Sequence, residues 1–109
     1  MIEDIRNFLE KHEEQTRQRF LLLYDLIYES TPQRIDEKLW ASLPSFYVDT
    51  RFIRLIPFMD HINIEAKAAV SHKGELSGYK MTPKGMLQIY HNQPIPREVL
   101  KTIFEESLC

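Results

Sequence analysis

The sequence predicts an α+β fold: a single domain over residues 1–109, with an antiparallel sheet of about four strands packed against N-terminal and C-terminal helices. Three observations lead there. Apolar residues recur at helical spacing only near the two ends, as in Phe20, Leu23, Tyr24 and Ile27, and again in Val99, Leu100, Ile103 and Phe104. Between them, residues 46–90 hold short aromatic and β-branched runs divided by turn residues. These runs are clustered and do not alternate with helices, which is the order of an antiparallel and not a parallel sheet. With 109 residues, 43% of them hydrophobic, the chain is long enough for one core without staples.

The elements follow in order. Ile2, Ile5, Phe8 and Leu9 form one stripe of a short amphipathic helix. Lys11–Arg19 is polar throughout, so a break is expected near Glu13–Thr16, the alternative being one helix over Ile2–Tyr28. The second stripe is widened by Leu21, Leu22, Leu26 and Tyr28, so its helix is expected to be covered on more than one side. Pro32 stops it. Thr31 can cap a third helix that opens on Pro32, buries Ile35, Leu39, Trp40 and Leu43, and ends at Pro44. Trp40 is then expected inside, near Phe46, Leu55 and Ile89. Phe46–Val48, Phe52–Phe58, His61–Glu65 and Met86–Tyr90 read as the four strands, with turns at Asp49-Thr50 and Met59-Asp60. In His61–Glu65, alternation puts Ile62 and Ile64 on one face and His61, Asn63 and Glu65 on the other. Ala66–His72 reads as a brief helix, and Lys73–Gly85, with all three glycines, as the main loop. Pro96 opens the last helix.

Charge narrows the function classes. The net charge is −2, and a pI near 6.1 argues against a general nucleic-acid binder, whose affinity rests on neutralising phosphates. The charge is unevenly spread: ten acids face six bases in residues 1–50, three face seven in 51–97, and three face one in 98–109. Acidic ends thus flank a basic middle, which offers an acidic helical face for cations or a basic sheet face for anions. The longest apolar run, Phe20–Tyr24, is far short of the roughly 20 residues of a membrane span. The first fourteen residues are charged throughout, unlike a signal peptide, so a cytoplasmic location is the expectation. The lone Cys109 allows no disulfide within the chain and is expected to be dispensable.

No phosphate-binding glycine motif, zinc-protease helix, paired-cysteine motif or calcium loop occurs, and Gly74–Gly78 has its serine in the wrong place for a nucleophile elbow. The expectation is a binding module and not an enzyme. Two sets of side chains carry possible chemistry. Imidazole and carboxylate are competent metal ligands, so His61 and Glu65 on one strand face, with the exposed acids Glu10, Glu13 and Glu14, are the candidate cation set. Arg54, Tyr79, Lys80 and Lys84, with the amides near Gly85, are the candidate set for an anionic small molecule or an acidic protein. Arg51 and Arg54 lie an odd number of positions apart and so point to opposite faces of a regular strand.

Several segments, in this order and spacing, resemble the YdhG-like family of small bacterial proteins. They are Leu39-Trp-Ala-Ser-Leu-Pro-Ser-Phe-Tyr47, His61-Ile-Asn-Ile-Glu65, Glu75-Leu-Ser-Gly-Tyr-Lys80, Pro83-Lys-Gly-Met-Leu-Gln-Ile89 and Pro94-Ile-Pro96. The resemblance covers roughly residues 16–107 and implies a single YdhG-like domain with a curved antiparallel sheet against helices. Most members have no established activity. One branch is frataxin-like in role, an intracellular iron chaperone that delivers iron for iron–sulfur or haem assembly. The resemblance therefore implies weakly bound iron and assembly proteins as partners; the residues themselves leave open an anionic small molecule instead. No nucleic acid and no membrane are expected as partners.

Overall fold

A computed structural model describes all 109 residues, Met1–Cys109. Two helices, α1 (Glu3–Glu10) and α2 (Glu14–Glu29), precede β1 (Asp36–Trp40), β2 (Leu43–Val48), β3 (Arg51–Pro57) and β4 (His61–Ala66). A 3-10 segment, Lys67–Leu76, leads to β5 (Lys80–Met81), β6 (Leu87–Tyr90) and α3 (Arg97–Leu108). All strand pairs are antiparallel, in the order β1-β2-β3-β4-β6-β5. The α+β class and antiparallel sheet are as the sequence predicts; the sheet has six strands, not four. No helix is long and apolar enough to cross a membrane.

The helices cover one face of the sheet. Phe46, Val48, Ile53, Leu55, Ile62, Ile64, Leu87 and Ile89 point into that layer, where they meet Ile5, Phe20, Leu23 and Ile27 of α1 and α2 and Leu100, Ile103, Phe104 and Leu108 of α3. Strand alternation accounts for the division: the intervening residues form the other, open face. That face carries Trp40, Tyr47, Phe52, Arg54, His61, Glu65 and Tyr90.

Three readings need correction. The break between the first helices falls at Lys11–Glu13, slightly ahead of the expected position, and the single-helix alternative is excluded. No helix runs from Pro32 to Leu43; residues 36–48 are the β1–β2 hairpin. Its two-residue turn, Ala41-Ser42, has both residues in the left-handed region, with φ of 50° and 66°. Such a turn matches the right-handed twist of the strands it joins. Pro44 sits ahead of the β2–β3 ladder, which begins at Ser45 opposite Arg54, so its missing N–H removes no rung there. Trp40 consequently lies on the open face, 53% exposed, and not in the core with Phe46, Leu55 and Ile89.

Glu37 ties α1 and α2 to the new hairpin. Its carboxylate accepts hydrogen bonds from the Tyr24 and Tyr28 hydroxyls and from the Ile2 amide at 2.8 Å. Partial burial pushes the Glu37 carboxyl up, but these hydrogen bonds outweigh it and hold the group below its usual range. Burial and the same carboxylate push the Tyr24 hydroxyl up to about 12.

Candidate anion-binding cleft

A cleft of about 530 Å³ opens where β3 begins and β4 ends. Its size falls in the range of small-molecule sites. Three cations line it: Arg51, Lys67 and Lys84. Each is delivered by a local device. Arg51 follows the Asp49-Thr50 hairpin loop, where Asp49 takes a φ of 57°, a conformation that aspartate tolerates better than most residues. Lys67 is the first residue of the 3-10 segment as β4 ends. Lys84 sits on the turn Thr82–Gly85, closed by the Gly85 amide donating to the Thr82 carbonyl at 2.9 Å. Pro83 presets the second position of that turn, and Gly85 supplies a φ of +89°. A side chain at Gly85 would also meet the Val70 Cγ2 at 2.9 Å.

The carboxylate lining the cleft is Glu65, and it is already paired. The Arg54 guanidinium donates to Glu65 Oε1 at 2.8 Å. Arg54 itself is only 5% exposed. It also donates to Ser45 Oγ at 2.8 Å and Tyr47 Oη at 3.2 Å, and lies 4.2 Å from the ring centroids of both Trp40 and Phe52. This arrangement satisfies a buried guanidinium and cancels the charge of Glu65. The cleft therefore keeps the positive charge of Arg51, Lys67 and Lys84. Outside it, Arg51 has one exposed partner, Asp49, at 3.3 Å.

The anion set expected from sequence is thus divided. Lys84 lines the cleft, and Arg54 is a buried support beside it. Tyr79 donates its hydroxyl to the Pro94 carbonyl at 2.6 Å and fastens a loop. Lys80 pairs with Gln88 at the sheet edge, its ammonium 5.4 Å from the Tyr90 ring. Arg51 and Arg54 do point apart, as alternation requires. Arg51 and Lys67 complete the cleft, although sequence reasoning did not single them out as ligand residues. Their only signal is that each adjoins a strand end, where loops converge.

The cation set is not brought together. His61 and Glu65 share the open face but stand four residues apart on one strand, about 13 Å at the rise of a β-strand. Glu65 is occupied by Arg54. His61 is bonded to Asp60 at 2.7 Å and stacked between Phe58 and Tyr90, at centroid distances of 4.6 and 4.8 Å. Glu10, Glu13 and Glu14 are exposed around the α1–α2 junction. No three His, Cys, Asp or Glu side chains converge as a metal-binding group.

The wall of the cleft is held by a histidine. Val70 and Lys67 belong to the 3-10 segment, and Ser107 to α3. His72 joins these two elements: Nε2 is 2.8 Å from Glu106 and Nδ1 is 2.7 Å from Glu75. The Glu106 and Glu75 carboxylates raise the His72 imidazole above its ordinary value. A second link runs from the Ala68 amide to Ser107 Oγ at 3.1 Å.

No family model, curated protein or solved structure matches this chain.

Proposed function

We propose that the protein is a binding module for an anionic small molecule, which it takes up in the cleft of Arg51, Lys67 and Lys84. One observation carries this reading: three cations surround a ligand-sized cleft whose lining carboxylate is neutralised by an internal arginine. An anion entering there meets positive charge from three separate chain segments, in a site partly screened from water. The two lysines are free to move toward it, since Lys67 and Lys84 have no salt-bridge partner. The frataxin-like role of iron delivery implied by the YdhG-like resemblance is the competing reading, and the acids Glu10, Glu13 and Glu14 are its best support.

Thermal unfolding at matched ionic strength, with phosphate, pyrophosphate, citrate or ferrous iron added anaerobically, decides between them. A ligand present at a hundredfold excess over its Kd adds about 2.7 kcal/mol. Pyrophosphate or citrate is expected to raise the melting temperature, and Lys84→Gln to diminish the rise. A response to iron alone, lost on removing the acids of the α1–α2 junction, would overturn the anion reading.

A further inference from the structure

The cleft is not lined by charge alone, and its remaining walls specify the ligand further. Phe52, Ala66 and Val70 are its apolar lining, and Val70 is 56% exposed. Phe52 is half-buried, with the Arg54 guanidinium against its ring. Ser107, also in the lining, is only 6% exposed. Its oxygen accepts from the Ala68 amide at 3.1 Å. A serine hydroxyl that accepts one bond can still donate, so Ser107 offers a ligand oxygen a donor in the cleft lining.

Building on the anion-binding reading, we propose that the ligand is a phosphorylated compound with a planar ring, of which a nucleoside diphosphate is the representative. The cations take the phosphate oxygens, with Arg51 offering a planar fork and the lysines point charges. The ring lies along Phe52 and Val70, where it removes apolar surface from water. Ser107 gives its proton to a ligand oxygen. Two other anion types fit less well. A bare polyphosphate leaves Phe52 and Val70 wet. A long-chain carboxylate brings one charge to three cations, and its chain outruns three apolar residues.

Titration calorimetry in magnesium-free buffer at fixed ionic strength tests this with ADP, pyrophosphate and adenosine. ADP is expected to bind at least tenfold more tightly than pyrophosphate, with adenosine too weak to measure. Val70→Ser, at an exposed position, is expected to erase most of the ADP advantage while leaving pyrophosphate unchanged. Lys84→Gln is expected to weaken both anions by a similar factor. Equal binding of ADP and pyrophosphate, or an ADP advantage that survives Val70→Ser, would overturn the ring assignment and leave the anion reading standing. Absence of binding by both anions would remove the two together.

Discussion

Two residues bear more on the cleft than their size suggests. Gly85 combines a φ of +89° with a close approach to Val70 Cγ2, so a methyl group is penalised twice. Gly85→Ala is expected to lower stability by about 1–3 kcal/mol, the range for a side chain forced into a sparsely populated backbone region, as read by urea unfolding. It should also displace Val70, changing ligand affinity in the same variant. His72 acts through protonation. Its pKa is raised on folding, so it contributes stability fully below its unfolded value, near 6.5, and loses it as pH rises through the higher folded value. His91 works in the opposite sense. Burial lowers its pKa, followed by repulsion from Arg19, so its penalty grows as pH falls below the same unfolded value. The prediction is a decline in stability above pH 6.5 that disappears in His72→Gln and persists in His91→Gln. Melting curves across pH 5 to 9 would show it, and a decline unchanged in His72→Gln would contradict it.

At the scale of elements, the β1–β2 hairpin shows where sequence pattern and structure part. Ile35, Leu39, Trp40 and Leu43 fit a helical stripe, and Thr31-Pro32 fits a helix start, yet the same residues also alternate. Glu37 and Leu39 turn inward while Lys38 and Trp40 turn outward, and the inward glutamate finds two tyrosines that no local rule reveals. The turn is silent too, since Ala41-Ser42 contains neither Gly nor Asn. Ser42→Gly should relieve a φ of 66° and raise the midpoint of urea unfolding, by about 1 kcal/mol in stability. By contrast, β3, β4, β6 and most of β2 are legible because their runs alternate and end at turn residues, whereas the two-residue β5 lies inside the segment Lys73–Gly85 that reads as loop. The cleft was only half legible: Lys84 stood out in a glycine-rich loop, whereas Arg51 and Lys67 meet it only after β3 and β4 pair. Helix α1 has eight residues and is too short to persist alone. Its hold on the sheet is Ile5, Leu9 and the Ile2–Glu37 bond. Glu37→Ala is therefore expected to cost about 1–2 kcal/mol and to speed amide exchange in α1 more than in β3, measured residue by residue. Uniform acceleration would show that Glu37 has no special link to α1.

Over the whole molecule, the sheet is covered on one side by helices drawn from both ends of the chain. Helices α2 and α3 touch each other, and both rest on β3 and β4. The acids of the first fifty residues lie mainly in that helical layer, while Arg51, Lys67 and Lys84 gather at the far end of β3 and β4. A chain ending at Pro96 would lack Leu100, Ile103, Phe104 and Leu108, all fully buried. It is expected to collect in the insoluble fraction, and a monomeric, cooperatively melting fragment on gel filtration would refute this. The helix pairing also has a temporal side. During synthesis the four-strand meander of β1–β4 can zip together from neighbouring segments while α3 is still unmade. Through that interval Ile53, Leu55, Ile62 and Ile64 face water on a sheet only half roofed by α2. The interval between the emergence of β4 and that of α3 from the ribosome is therefore the period when crowding by nascent copies is most dangerous.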